Sequence, residues 1–407
     1  MKSVDAHLAD CLEPVSPLSP LSLQLLDALG CSLAEDVVAP YPLPPFDNSA
    51  MDGYAVRAED VTGATEDSPV VLPVTGDLPA GVVSAYALTP GSAVRIMTGA
   101  PVPAGADAIV PVELTDQGIA RVSVKAPVEV GRHIRRSGDD VSAGDVVLAA
   151  GTRLGPRHLG LLAAVGRDRV LARPRPRVVV LSTGSELVEP GQHLGSGQIN
   201  ESNSFMLTAA AQEAGATAFR VGIVADEPQA LMNAIEDQLI RADLVITTGG
   251  VSKGAYDVVK EVLGRLGTVS FDAVAMQPGL PQGRGTIGPD ETPILTFPGN
   301  PVSAYVSFEV FGRPVLRKML GSETLTRPEV RAVCLGSFSS PEGKRQFARG
   351  VLSVEEGRYV VRPVTGQASH HVRALGDANA FIVVPEAVTR VVEGSPVTVM
   401  VLERRGI

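Results

Sequence analysis

The chain has 407 residues, 44% of them hydrophobic, and this length predicts two to four domains, each with its own core. A formal net charge of −10 without any basic stripe argues against a nucleic-acid or anionic-membrane partner. The three cysteines, Cys11, Cys31 and Cys334, lie far apart without CxxC spacing, so we expect neither a disulfide framework nor a zinc site. Since no secretory segment and no apolar run of ~18 residues is found, we expect a soluble, cytoplasmic protein.

The N-terminal half predicts short helices and a β-rich region. Apolar residues recur at helical spacing over residues 4–12 and again over residues 23–29, where Gly30 follows as an expected cap. The proline-dense stretch YPLPPFDNSAMDGYAV excludes a helix, and the β-type runs SPVVLPVTG, SAVRIM and DAIVPVE follow it. Residues 141–166 predict a turn and a helix, and the stretch RDRVLARPRPR predicts a stiff basic linker.

Between residues 175 and 320 apolar runs alternate with helical stretches. The runs are RVVVLSTG, FRVGIVADE, ADLVITTGG, VSFDAVAMQPG and TPILTFPG. This alternation is typical of a doubly wound α/β domain with buried parallel strands. The ligand of such a domain binds over the carboxyl ends of the strands.

The changes of pattern predict a multidomain α/β protein with four domains. A small N-terminal helical domain is expected to be discontinuous, over residues 1–44 and 138–174, with a β-rich insertion domain over residues 45–137. Residues 175–322 form the central α/β domain. Short β runs such as RYVVRPV, AFIVVPE and SPVTVMVL predict that residues 323–407 form a small β-barrel or sandwich.

Five loops of the α/β domain are expected to converge on one rim: residues 182–187, 224–227, 247–257, 277–285 and 297–303. In TTGGVSKGAYD, consecutive Thr and Gly residues before a helix allow backbone N–H groups to approach a phosphate or another oxyanion. A plain strand-to-helix turn is the alternative, and the residues alone do not favour either.

Carboxylates accompany these amide-rich turns. Glu186, Asp226 and Asp257 share the predicted rim, and Mg²⁺ prefers oxygen ligands while keeping its substrate phosphates. Taken singly, Glu186 is an ordinary solvated acid. Asp226 and Glu227 before Pro228, and Asn300 before Pro301, are then helix N-cap residues, with Pro301 at the first helical position. The combination predicts a metal-dependent, phosphate-handling site.

Other site chemistries are not indicated. The chain has no GxGxxG fingerprint and no Walker lysine motif. His370 and His371 are adjacent and would point to opposite faces of a strand, so they do not suggest a nucleophile with its base. The residues alone therefore lead to a metal-dependent α/β protein that handles phosphates.

Several long motifs resemble those of a known family. They are PPFDNSAMDGYAV, SAVRIMTGAPVPAGADAIVPVE, RRSGDD, STGSELVEPG, TTGGVSKGAYDVVK, FPGNPVSAYVSFEVFGRPVLRKM and GQASHHVRALGDANAFIVVPE. In this order, and over nearly the full chain, they resemble the molybdopterin molybdenumtransferase family, the MoeA or gephyrin E-domain family of molybdenum cofactor biosynthesis.

The resemblance implies an elongated homodimer of four-domain chains with a MogA-like central domain. It implies that adenylylated molybdopterin and molybdate are the substrates, that molybdate is inserted with release of AMP, and that Mg²⁺ is required. It also implies a contact with the molybdopterin adenylyltransferase that acts before this step.

The resemblance assigns residue roles as well. The implied catalytic residues are Asp52, Thr98, Asp140, Asp226 and Asp257, of which the first three would reach the site across a cleft or from the other subunit. Local turn roles are the alternative for those three. The implied Mg²⁺ ligands are Glu186 and Asp257. The implied substrate contacts are Thr183, Gly184, Gly249, Gly250, Ser252, Lys253, Pro278, Arg284, Pro298, Gly299, Pro301 and Ser369.

The chain departs from the family pattern at one turn. Where a lysine-bearing KPGKP turn is common, this chain has QPGLPQGRG, with Gln277 and Leu280 in place of lysines. We predict that Lys253 or Arg284 replaces part of the missing charge; His370 also stands where a small residue is usual. Three functions stay open: a working molybdenumtransferase, a non-catalytic molybdopterin-binding or scaffold relative, and an insertase for a related oxyanion such as tungstate.

Overall fold

The chain consists of two compact units. A computed structural model describes residues 1–82, 87–250, 258–265 and 268–403. The second unit holds Glu35–Ala150 and Pro156–Arg169, and the first unit holds the rest. None of the helices in the described ranges combines the length and the apolar character needed to span a membrane. The four domain boundaries stay a prediction.

The first unit is built around a sheet with six described strands. Their order across the sheet is Thr217–Val224, Arg177–Thr183, Leu244–Thr248, Thr292–Phe297, Pro281–Ile287 and Val269–Ala273. The first four strands are parallel, and each of the last two is antiparallel to its neighbours. The predicted α/β domain is confirmed, although its sheet is mixed.

The pairing of the strand Val269–Ala273 differs from the prediction. This strand runs in the same direction as the four parallel strands, but it pairs antiparallel with the strand Pro281–Ile287, which the sequence analysis missed and to which the chain returns through residues 274–280. Residues 288–291 then lead directly into Thr292–Phe297. Both connections are too short for the crossover that parallel neighbours need, so antiparallel pairing follows.

Alternate residues of the central strands face two layers of helices. Val178 and Val180 pack in one buried cluster, and Val179 and Leu181 pack in another. Helices on the first side are Asn203–Ala214 and Pro301–Ser307, which continues through the π-helical turn Phe308–Gly312 into Arg313–Met319. Helices on the second side are Pro228–Leu239 and Val258–Arg265.

An ion cluster is buried beside the π-helical turn. The Glu309 carboxylate accepts hydrogen bonds from Arg313 (2.6 Å) and Arg327 (2.9 Å). Burial alone would raise the pKa of Glu309, but the bonds from Arg327 and Arg313 more than offset it and hold this pKa below its usual range. The long helix is thereby tied to the start of the C-terminal region.

The C-terminal region is a closed barrel, as predicted. Around the barrel the strands follow the order Arg345–Glu355, Arg358–Pro363, Glu329–Cys334, Pro396–Val401 and Ala380–Val384, which pairs again with the first. Further described elements are the paired strands Phe338–Ser339 and Arg390–Val391, the helix Val372–Asp377, and the strand Met276–Gln277, which pairs with Arg345 and Gln346.

Of the two helices predicted near the N-terminus, the structure contains one. Val4–Leu12 is helical and contributes Val4 and Cys11 to the core of the first unit. The prediction of a second helix is wrong: Leu21–Gln24 is a strand beside Arg169–Arg173, and the residues directly after Gln24 form turns. The side chain of Leu26 is 83% exposed, so the helical spacing there marks no buried face. Arg169–Arg173 also pairs with Ser32–Leu33, so the expected linker is partly a strand.

The second unit is rich in β-structure. Its main sheet has the order Ala108–Pro111, Gly53–Val56, Ala93–Ile96, Val70–Leu78 and Arg121–Val124. Shorter elements are the strand pairs Val37–Val38 with Val146–Leu148 and Asn48–Ser49 with Ile134–Arg135, the turns Ala58–Val61 and Val112–Leu114, and the helix Pro156–Ala164. Gly53 is required by packing, because an added Cβ would lie 2.0 Å from the carbonyl oxygen of Val110.

Candidate active site

A cavity of about 780 Å³ lies at the edge of the sheet where the four parallel strands end. This edge is where open α/β sheets bind their ligands. Nine residues predicted for the site line it: Thr183, Gly184, Glu186, Asp226, Gly249, Gly250, Pro298, Gly299 and Pro301. The loop 277–285 contributes Pro281, because the antiparallel strand Pro281–Ile287 begins where the parallel strands end.

Gly249 packs three strand-end loops together. Its φ is +94°, and an added Cβ would lie 2.4 Å from the carbonyl oxygen of Thr183, so a side chain cannot be accommodated. The N–H of Gly249 donates to the carbonyl oxygen of Phe297 at 3.2 Å. This bond corrects the expectation that Gly249 offers its N–H to a phosphate; for Gly250, no such acceptor is found among the described residues.

Two predicted carboxylates line the cavity, and they differ in the hydrogen bonds that they accept. Asp226 accepts hydrogen bonds through Oδ2 from the backbone N–H (2.9 Å) and the hydroxyl (3.3 Å) of Ser185, which join the loops after two neighbouring strands. Glu186 is exposed, and in the described ranges its carboxylate accepts no hydrogen bond. Both carboxylate oxygens of Glu186 are therefore open to a ligand, whereas Asp226 has one of its two oxygens bound to Ser185.

The side chains at the predicted N-cap positions of these loops do not cap their helices. Glu227 and Asn300 occupy N-cap positions, but neither side chain bonds to the first turn of its helix. Asn300 instead donates to Ser369 Oγ at 3.0 Å, while Pro301 begins the helix as predicted. The side chain of Asn300 thus joins the strand-end loop to the C-terminal loop that carries Ser369.

Glu201 is a buried carboxylate of the lining that sequence reasoning missed. It is 2% exposed and accepts from Ser182 Oγ (2.8 Å) and from the N–H and Oγ of Ser204 (2.8 and 2.5 Å). Arg220 lies 3.5 Å away and pairs more closely with Glu189. The signal that could have identified it is the polar run ESNS, residues 201–204, at the start of the helix Asn203–Ala214.

Asn203, also missed, connects two cavity loops. Its Nδ2 donates to the carbonyl oxygen of Gly299 (2.7 Å) and to Thr248 Oγ1 (2.9 Å), and Thr248 Oγ1 donates in turn to the carbonyl oxygen of Pro298 (3.1 Å). Because a carbonyl oxygen can only accept, these bonds determine which way the amide points. Asn203 therefore holds the Pro298–Gly299 turn against the end of the strand Leu244–Thr248.

The described lining is acidic. It contains Glu186, Glu201 and Asp226 but neither lysine nor arginine. These hard oxygen donors fit Mg²⁺, whereas in the ranges that the structure describes no three His, Cys, Asp or Glu side chains are grouped closely enough to hold an ion on their own. Of the predicted site residues, Ser252, Lys253 and Asp257 lie outside the described residues.

The structure does not bring Arg284 to the cavity. Its Nη2 lies 2.6 Å from Asp10, and its Nε lies 3.9 Å from Asp272. Lys2 pairs with both acids, and Asp272 also lies 3.2 Å from Nδ1 of the buried His7. Arg284 therefore does not bring its charge to the described cavity, because its guanidinium is bound to the N-terminal helix; the alternative, that Lys253 replaces part of the missing charge, stays a prediction. Pro278 likewise does not line the cavity.

Asp52 and Thr98 meet within the second unit. Both the N–H (2.7 Å) and the hydroxyl (2.8 Å) of Thr98 donate to Asp52 Oδ1, across 46 positions in sequence. The backbone N–H of Thr98, followed by its hydroxyl, lowers the pKa of Asp52 below its ordinary value. Asp52 is thus more than a local turn residue. Asp140 donates its backbone N–H to the carbonyl oxygen of Leu43, and its side chain is exposed.

The loop 366–371 contributes to the cavity from the barrel region. Ser369 accepts the Val302 N–H through its carbonyl oxygen (3.1 Å), and the next residue, His370, lines the cavity. The expectation that His370 and His371 point to opposite faces of a strand is wrong. They lie in a turn before the helix Val372–Asp377, with their rings edge to face at 4.4 Å.

Comparison with protein families gives three consecutive matches. Residues 2–166 match the MoeA N-terminal region (domain I and II), residues 179–318 match the probable molybdopterin binding domain, and residues 331–402 match the MoeA C-terminal region (domain IV). Together these matches cover most of the chain.

Full-length relatives and solved structures agree with the family matches. The chain is 49% identical to molybdopterin molybdenumtransferase 2 of Mycobacterium tuberculosis (strain H37Rv), over 98% of this chain and 99% of that one. It is 38% identical to the molybdopterin molybdenumtransferase of Bacillus subtilis, over 93% and 89% of the two chains. A crystal structure of the molybdopterin biosynthesis MoeA protein from Pyrococcus horikosii is 33% identical with a TM-score of 0.79, over 97% and 98% of the two chains.

Proposed function

The chain belongs to the MoeA family of molybdopterin molybdenumtransferases, and on that premise we propose that it inserts molybdate into adenylylated molybdopterin and releases AMP. Its place is in molybdenum cofactor biosynthesis. The observation that supports this reaction best is the cavity at the carboxyl ends of the parallel strands, where glycine turns and carboxylates stand together. As the resemblance implies, we further propose that it acts in the cytoplasm as a homodimer and contacts the adenylyltransferase.

The cavity loops would bind the phosphate-bearing part of the substrate. Gly250 and Gly299 would allow the backbone to approach the phosphates without side-chain interference, and Thr183 lines the same wall. Ser252 and Lys253 would add a hydroxyl and a positive charge. The positive end of the helix dipole at Pro301 favours negative charge on the same side of the cavity.

Mg²⁺ would be held by Glu186 and Asp257, and it would neutralise the pyrophosphate and polarise the bond that is cleaved. Glu186 supports this assignment because its carboxylate accepts no hydrogen bond in the described part of the chain and lines the cavity. Asp226 keeps the Ser185 loop in place and has a second oxygen for substrate or solvent. As the resemblance implies, Asp52, whose carboxylate is oriented by Thr98, and Asp140 would also belong to the catalytic set.

A turnover assay with purified protein tests the proposal. We expect AMP release from adenylylated molybdopterin that requires both molybdate and Mg²⁺, and a strong loss of turnover in the Asp52→Ala and Asp257→Ala variants. Full-rate turnover in either variant would contradict the residue roles. Substrate binding without any AMP release would instead identify a non-catalytic relative, and competition by tungstate in the same assay would measure the oxyanion preference.

A further inference from the structure

Hydrogen bonds from the barrel hold the backbone of the loop 366–371. The guanidinium of Arg349, which is fully buried in the barrel, donates through Nη2 to the carbonyl oxygens of Gly366 (2.9 Å) and Ala368 (3.1 Å). The side chain of Gln367 accepts the N–H of Arg349 and donates to its carbonyl oxygen, each at 2.9 Å. The backbone of this loop is therefore held in one position by the barrel.

The same loop is held from the side of the cavity. The carbonyl oxygen of Ser369 accepts the Val302 N–H at 3.1 Å, and Ser369 Oγ accepts from Asn300 Nδ2 at 3.0 Å. The ring of His371 fills the space over Gly366, where an added Cβ would lie 2.6 Å from its Nδ1. His370 stacks edge to face on that ring and lines the cavity. A supported loop thus presents one imidazole to the cavity.

The chemistry of the lining makes this imidazole distinctive. Glu186, Glu201 and Asp226 are acceptors, and no lysine or arginine lines the described part of the cavity. His370 is the lining side chain, among those described, that is able to carry positive charge, and even a neutral imidazole has one N–H to donate. Arg284 does not supply charge here, because it is bound to Asp10.

We propose that His370 is a binding residue for a tetrahedral oxyanion in the cavity, either a phosphate of the nucleotide part or molybdate itself. The inference rests on the proposed function, since that function supplies an anionic substrate to an acidic cavity. The geometry that carries it is a loop held by the barrel on one side and by the Pro301–Ser307 helix start on the other.

The test compares the affinities of the full chain for AMP and for molybdate, each measured by calorimetry in the presence of Mg²⁺. A hydrogen bond to a charged group is worth enough that His370→Ala should weaken binding of at least one anion roughly 10-fold or more. His370→Lys, which keeps a donor and a charge, should restore most of that affinity. The matched control is His193→Ala, which removes an exposed imidazole that does not line the cavity and should leave both affinities unchanged.

Each outcome decides a different point. A loss confined to AMP assigns His370 to the nucleotide phosphate, and a loss confined to molybdate assigns it to the metal oxyanion. Wild-type affinity of His370→Ala for both anions would overturn the inference, even if the wild-type protein inserts molybdate normally. Absence of turnover in the wild type, with anion binding still dependent on His370, would overturn the proposed function and leave this inference standing.

Discussion

Asn203→Asp removes the amide that joins two loops of the cavity. The Asn203 side chain is 8% exposed, and its Nδ2 donates to the Gly299 carbonyl oxygen at 2.7 Å and to Thr248 Oγ1 at 2.9 Å. Aspartate has nearly the same shape but no donor when ionised, and it would place a carboxylate oxygen against a carbonyl oxygen. We therefore expect the Pro298–Gly299 turn to move away from the end of the strand Leu244–Thr248.

The magnitude follows from the two lost bonds. A typical buried hydrogen bond contributes about 1 kcal/mol net, and an acceptor left unpaired costs about 1–3 kcal/mol. The free energy of unfolding of Asn203→Asp should therefore be lower by about 3 kcal/mol. In a unit of this size 1 kcal/mol shifts the melting temperature by about 2–4 °C, which gives a decrease of roughly 6–12 °C.

Calorimetric melting and the insertion assay together test this reasoning. Turnover measured well below the melting temperature should fall, because both residues of the displaced turn line the cavity. Asn233→Asp is the matched control: Asn233 bonds to Gln229 on the surface of the helix Pro228–Leu239, so its replacement should change melting by only about 1–2 °C. If Asn203→Asp melted and turned over like the wild type, the positioning role of Asn203 would be refuted.

Three further predictions concern stability and the glycine turn. Burial lowers the pKa of His7 from 6.5 to about 4, so between these pH values the unfolded chain binds a proton that the folded chain does not. The free energy of unfolding should therefore fall by about 3 kcal/mol as the pH drops through this window. In urea unfolding, His7→Gln should remove that pH dependence. Glu309→Gln should cost about 3 kcal/mol in urea unfolding at neutral pH, because the buried Arg313 and the half-buried Arg327 keep only the exposed Glu213 as a counter-charge. Since the folded pKa of Glu309 is lowered, its contribution to stability is present above the unfolded pKa and is lost in acid. Gly249→Ala should reduce turnover more than Gly191→Ala does. Both glycines have φ above +90°, but only at Gly249 would the added Cβ collide with the Thr183 carbonyl oxygen. Equal turnover of the two variants would contradict this.

Much of the α/β unit could be predicted because its signals are local. A parallel strand buried on both faces must be apolar throughout, and Val178–Leu181 show this directly in the sequence. The turn residues after each such strand then mark the sheet edge where a ligand binds. Nine of the predicted site residues line one cavity for this reason.

Strand direction and helix caps could not be predicted in the same way. The strand Pro281–Ile287 begins with proline and contains two glycines, so its pattern resembles a loop, and its pairing depends on Thr292–Phe297. Likewise, Asn300 and Glu227 stand at cap positions, but whether their side chains cap depends on competing partners; for Asn300 that partner is Ser369. Such choices are made by tertiary contacts and not by local propensity.

The C-terminal barrel shows why distant residues belong to one site. Its buried Arg349 donates to the carbonyl oxygens of Gly366 and Ala368, and Ser369 of the same loop accepts from Asn300 and Val302 at the sheet edge. The barrel therefore supports a loop whose His370 lines a cavity built mainly by the α/β part of the chain. Because the described lining of that cavity is acidic, an anionic substrate can bind there only with added positive charge. On the proposed function, that charge would come from Mg²⁺ on Glu186, from Lys253 and from the loop imidazole, so binding of the cation and of the anion would strengthen each other.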